Sequence, residues 1–188
     1  MIMRFAVVDL ETTGGTPTQG RVMEIGIVLM DGVEVVDTYH TLLNPGQSIP
    51  TFIQNLTGIS EEMVEHKPQF SSVAEHVASL LKDRIFVAHN VLFDSKFMRA
   101  ELKRCCIPFD PPRLCTVKLS RRIFPGLPSY SLHKLTEALG LPDFNHHRAL
   151  DDTLAAAEIL KLAIGKVGEE GLRKDIKNIL KGNSAHCL

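Results

Sequence analysis

Uninterrupted apolar residues at positions 5–8, ending on Asp9, read as a strand buried on both faces. A second apolar segment, residues 21–30, also reads as a strand. Asp31-Gly32 then supplies a two-residue hairpin turn of the kind that suits positive φ. Residues 33–43 return as a third strand, so the chain opens on three antiparallel strands. Asn44-Pro45-Gly46 ends that block. Helical patterns follow over residues 50–56 and 72–81, and residues 85–88 read as a short buried strand.

Beyond that strand, Phe93, Phe97, Met98 and Leu102 recur at helical spacing through residue 105, before Pro108, Pro111 and Pro112 break the chain. Residues 115–123 and 131–139 form two helical patterns joined by a Pro-Gly loop. Residues 148–164 make the longest helix. Gly165 and Gly168 set off a charged helix over residues 169–180, with Leu172, Ile176, Ile179 and Leu180 as its apolar stripe. Strands first, then helices interleaved with short strands, predict an α/β domain with a mixed sheet flanked by helices. The expected division is a domain over residues 1–165 and a C-terminal helix and tail over 166–188, packed back on that domain.

The length of 188 residues fits one domain, and 44% hydrophobic residues suffice for a core. With a formal net charge of −1, no global positive field draws in a polyanion. A nucleic-acid enzyme of this composition would need local cations, from a basic patch or bound metal. Cys105, Cys106, Cys115 and Cys187 contain no C-x-x-C pair and read as reduced thiols of a cytoplasmic protein. The apolar N-terminus is short and interrupted by Asp9 and Glu11, and reads as neither a signal peptide nor a membrane span.

The carboxylates change the picture. Asp9 and Glu11, two apart at a strand end, project from one sheet face. Such neighbours raise each other's pKa unless a cation lies between them. Taken singly they could be solvated charges at a turning chain. Asp94, near the first turn of the helix after the short strand, could likewise serve only the helix N-terminus. His147 and Asp152 are five apart, about 140° around a helix. They can converge only if His147 sits in the loop before the helix while Asp152 looks inward from its first turns. Asp151 would then point elsewhere, as a cap or solvated charge. A histidine alone is more often structural or superficial, and His146 competes for the same loop.

As an ordered set these segments are specific. Asp9-Leu10-Glu11-Thr12-Thr13-Gly14, His89-Asn90-x-x-Phe93-Asp94 and His147-Arg148-Ala149-Leu150-x-Asp152 resemble the three motifs of the DnaQ-like DEDDh 3′→5′ exonuclease family. Leu56-Thr57-Gly58-Ile59 resembles its T-G-I segment. The resemblance runs from about residue 4 to 164 and is greatest to the proofreading exonucleases of bacterial replicative polymerases and their stand-alone relatives. It implies a ribonuclease-H-like fold and makes Asp9, Glu11, Asp94 and Asp152 metal-site carboxylates with His147 as general base. It places Thr12, Thr13, Gly14, Leu56, Asn90 and Phe93 around a terminal nucleotide. Cys115-Thr116 stands where many relatives carry Asp-Thr, which bears on local packing and not on the four carboxylates.

The implied chemistry is phosphodiester hydrolysis with two divalent ions, Mg²⁺ or Mn²⁺, about 3.5–4 Å apart. Asp9 would bridge them, Glu11 and Asp152 would complete one shell, and Asp94 would serve the other. An imidazole with an ordinary pKa of about 6.5 can accept the water's proton at neutral pH. The expected substrate is a nucleic-acid 3′ end, single-stranded or frayed DNA, releasing nucleoside 5′-monophosphates in proofreading or repair. RNA trimming is the alternative, and a non-catalytic binding module a third reading. Phe93 and Leu56 are candidates to stack on the base, whereas Phe52 reads as core filling. Lys118, Arg121 and Arg122 share a helix face that could track phosphates, though a charge run is usually a solvated face. The C-terminal helix could dock on a DNA polymerase subunit, and no membrane partner is expected.

Overall fold

In the computed structural model, which describes residues 2–142, 144 and 147–184 (175–184 by backbone alone), five strands form one mixed sheet. Strands β1 (Arg4–Thr12), β2 (Val22–Asp31) and β3 (Glu34–Leu42) are antiparallel neighbours. On the other side of β1, β4 (Ile85–Ala88) and β5 (Arg113–Cys115) add in parallel. The order β3-β2-β1-β4-β5 puts β1 at the centre. The sheet is ribonuclease-H-like, as expected.

Alternation along β1 divides the interior into two layers. Ala6, Val8 and Leu10 face α3 (Phe70–Leu81) and α4 (Val91–Arg104), packing with Val77, Phe97, Met98 and Leu102. Phe5 and Val7 face the other way, toward α5 (Thr116–Ile123) and α7 (Ala149–Ser184), packing with Leu119, Ala156, Leu160 and Ala163. Because helices cover both faces, β1 and β2 carry near-continuous apolar runs. The shorter helices are α1 (Thr51–Thr57), α2 (Glu61–Glu65) and α6 (Leu132–Ala138).

The structure corrects several expectations. The hairpin turn is Gly32-Val33, one residue later than expected. Asp31 still pairs with Glu34 in the ladder, and Gly32 takes the positive φ of 61°. Cys115 ends a strand instead of opening a helix. Its three-residue β5 follows Pro111-Pro112 and is too short to show a period. Helix α2 is additional, with the Ser60 side chain accepting from the Met63 amide and Glu61 and Glu62 in the first turn. Phe52 is not core filling: it is 67% exposed on α1. The long helix breaks at Gly168 (φ 70°, ψ 166°) and continues through Gly165. Past that break Leu172 is fully buried with Leu160 and Ile164. Ile176, Ile179 and Leu180 of the expected stripe lie outside the described side chains, and Cys187 outside the described residues. Among the described residues no helix is long and apolar enough to cross a membrane.

Candidate active site

Odd-numbered residues of β1 face α7, so Asp9 and Glu11 continue the row begun by Phe5 and Val7 beyond the end of the apolar layer. Their antiparallel partners on β2 are Gly26 and Glu24. A Cβ at Gly26 would meet the Ala149 carbonyl carbon at 2.6 Å, with its oxygen nearer still, and Thr153 Oγ1 at 2.7 Å. Only glycine lets the first turn of α7 lie directly on the strand here. That close approach brings Asp152, 8% exposed, beside the β1 carboxylates.

His147 precedes α7, exposed and in the left-handed region at φ 64°. Its backbone amide donates to Asp152 Oδ2 at 3.0 Å. Ligand atoms of Glu11, His147 and Asp152 all lie within 4.8 Å of one another. The loop placement that the five-residue spacing demanded is therefore the one adopted. Asp151 is half-buried and lies electrostatically close to Arg148. His146 lies outside the described residues.

Asp94 comes from the first turn of α4 and is 2% exposed. Asn90, at φ 76°, turns the chain from β4 into that helix, and no hydrogen bond from its side chain caps it. Asn tolerates this conformation better than most residues. Burial raises the Asp94 carboxyl to about 8, against the pull of its own amide and that of Leu10. Asp9 is held well above the carboxylate range by burial, then by Asp94, Glu11, Asp152 and Glu24. Glu11 is raised to about 8 by burial, then by Asp152, Glu24 and Asp94, with Arg148 opposing. Four acids from β1, α4 and α7 thus share one poorly solvated space. Oxygen donors with one imidazole at this separation suit a hard divalent cation.

The remaining expected residues are placed as follows. Thr12 donates through its hydroxyl to the Gly14 carbonyl. Thr13 Oγ1 accepts from the Arg21 amide and from Gln47 Nε2. Both hydroxyls therefore brace the loop after β1. Phe93 is half-buried against Phe97, with ring centroids 5.0 Å apart. With Gly15, Pro17, Asn90, Leu92 and Lys96 it lines a cleft of about 200 Å³. Leu56 is 52% exposed on α1. Lys118, Arg121 and Arg122 are all exposed on α5, and Arg121 lies over the Tyr130 ring at 5.6 Å.

Two networks were not foreseen. Glu24 is a fully buried carboxylate held by Arg148, the Ala149 amide and His40. Burial alone would raise its pKa, but these donors hold it below its ordinary value. Its signal is the one acid within the apolar run from Val22 to Met30. His89 lies between Thr116 Oγ1 at Nδ1 (2.9 Å) and the Tyr130 carbonyl at Nε2 (3.0 Å). The carbonyl can only accept, so Nε2 carries the proton and Nδ1 accepts from the threonine. Burial pushes this imidazole down to about 4.

Residues 6–160 match the RNase T exonuclease family model. The 3′-5′ exonuclease DinG of Staphylococcus epidermidis is 41% identical over 166 residues, which is 88% of this chain and 18% of that protein. The protein of the same name in a Staphylococcus aureus strain is 40% identical over 86% of this chain and 18% of its own length. The chain thus spans under a fifth of these relatives. Exonuclease X, solved with 5′ overhanging duplex DNA, superposes with a TM-score of 0.69 at 30% identity, covering 88% of this chain and 93% of that one. Escherichia coli exonuclease I, solved with single-stranded DNA, gives 0.79 at 22% identity over 88% and 41%, a likeness of fold. Motif order, sheet topology and these matches agree: the chain belongs to the RNase T exonuclease family, the DnaQ-like 3′→5′ exonucleases.

Proposed function

We propose that this domain removes nucleotides from the 3′ end of single-stranded or frayed DNA by metal-dependent hydrolysis. The observation that carries this reading is the convergence of Asp9, Glu11, Asp94 and Asp152 with the His147 ring at one end of the sheet. Their mutual repulsion, with three carboxyls raised, calls for positive charge that no described side chain supplies to all of them. Asp9, Glu11, Asp94 and Asp152 would hold two divalent ions. Mg²⁺ or Mn²⁺ there would offset phosphate charge, favour ionisation of the attacking water and stabilise the departing 3′ oxygen.

The chain's own residues do the rest. His147, solvent-facing and beside Glu11 and Asp152, accepts the proton of the attacking water. The new bond forms between the water oxygen and phosphorus. The bond from phosphorus to the 3′ oxygen breaks, and solvent reprotonates that oxygen. The product is a nucleoside 5′-monophosphate. The cleft at Gly15, Asn90, Phe93 and Lys96 offers an apolar wall and a cation for the strand behind the terminal nucleotide. DNA as the substrate is supported by exonuclease X, 30% identical to this chain and solved with 5′ overhanging duplex DNA.

The test is release of mononucleotides from matched 3′-labelled DNA and RNA oligomers with Mg²⁺ or Mn²⁺. Faster turnover of DNA supports the proposal, and faster turnover of RNA reassigns the domain to RNA trimming. Binding without cleavage of either under Mn²⁺ makes it a non-catalytic module.

A further inference from the structure

Between Val22 and Met30, Glu24 is the one charged residue, and none of its side chain reaches solvent. A buried carboxylate persists only where donors saturate it. Oε1 accepts from Arg148 Nη2 at 2.8 Å and Nε at 3.2 Å, and lies 2.7 Å from His40 Nε2. Oε2 accepts from the Ala149 amide at 2.9 Å. Two of these partners are consecutive. Arg148 directly follows His147, and Ala149 opens the helix whose first turn carries Asp152.

Glu24 also faces Glu11 across the β1–β2 register. Two glutamates thus stand side by side, one raised to about 8 and the other lowered. A role for Glu24 as a fifth metal ligand fits poorly, because both its oxygens are already occupied by donors. We infer that Glu24 is a positioning residue. Through Arg148 and the Ala149 amide it fixes the first turn of α7, and so His147 and Asp152, against the strand bearing Asp9 and Glu11. This rests on the exonuclease reading for its kinetic consequence, and on geometry alone for its effect on the metal site.

The test uses the full chain with Glu24→Gln, Arg148→Lys and the double variant. Mn²⁺ affinity is read by electron paramagnetic resonance, melting by circular dichroism, and kcat and KM on a 3′-labelled DNA strand. Glu24→Gln keeps the size but loses the charge that fills the guanidinium fork, and Arg148→Lys keeps a cation but loses the fork. Expected is a fall in Mn²⁺ affinity and in kcat, each of about 10–100-fold, at unchanged KM and below the melting temperature of each variant. The double variant should be no worse than Glu24→Gln, because the two residues act as one unit.

A Glu24→Gln protein that melts lower yet binds Mn²⁺ and turns over like wild type overturns the inference, since its role would be structural only. So does a loss confined to KM, or losses that multiply in the double variant. If Glu24→Gln does not fold, unchanged Mn²⁺ affinity and kcat in Arg148→Lys overturns it as well. If wild type binds Mn²⁺ but cleaves nothing, the exonuclease reading fails, and the Mn²⁺ affinities of the variants still decide the positioning role.

Discussion

At the start of β1, Arg84 lies buried with its guanidinium donating to the carbonyls of Phe5 and Met30 and to Asp31 Oδ1. At the far end of the same strand Asp9 and Glu11 meet Asp94 and Asp152, and the Arg148 guanidinium beside Glu11 is engaged by Glu24. The same sheet therefore buries charge in two ways. At one end a buried guanidinium is met by two backbone carbonyls and a carboxylate. The other gathers acids that repel one another, which costs stability unless an outside cation joins them. Opposite charges brought together hold the fold, and like charges crowded together are poised for a cation.

The contrast can be broken most sharply at the acidic end. Removing divalent ions with EDTA should take mononucleotide release to background, with Mg²⁺ or Mn²⁺ restoring it. Rescue by Zn²⁺ alone would argue for a different site. Next in size, His147→Ala should lower kcat by about 10²–10⁴-fold, and near-normal turnover would remove His147 from the mechanism. At the Arg84 end, Arg84→Met should destabilise by about 1–3 kcal/mol in urea melts by leaving buried acceptors unmet, with kcat unchanged. A drop in kcat there would mean that the two ends are coupled.

A further expected effect concerns pH. Glu11 and Asp94 lie near 8 when folded, against about 4 in an unfolded chain. Between those values the folded state holds more protons, so metal-free stability falls as pH rises from about 4 to about 8. Thermal melts across that range should show the decline without metal and little of it with saturating Mg²⁺. A metal-free protein most stable at pH 8 would contradict the clustered acids.

How far this was legible beforehand depended on whether a feature was local. The strands at Phe5–Asp9 and Ile85–Ala88 showed in apolar runs, and α4 in the spacing of Phe93, Phe97 and Leu102. The five-residue gap between His147 and Asp152 even required the loop that His147 occupies. The β5 strand was hidden because three residues after two prolines carry no period. Phe52 departs from expectation because its α1 helix turns the neighbouring Ile53 inward and leaves Phe52 on the open face. The link of Glu24 and Gly26 to the start of α7 at Arg148 and Ala149 is hidden for a different reason. Their roles exist only across the β1–β2 register and the return of α7, more than a hundred residues later. Nothing in the spacing of the chain brings those positions together.

The positive φ of His147 separates two things that a substitution there would otherwise confuse. The residue supplies a ring and also a left-handed bend that aims its amide at Asp152. Asparagine or glycine can keep the bend while deleting the ring, whereas valine would unwind the bend as well. Engineers seeking an inert nucleic-acid-gripping variant should therefore begin with His147→Asn, which deletes the proposed base while leaving the acidic cradle in shape.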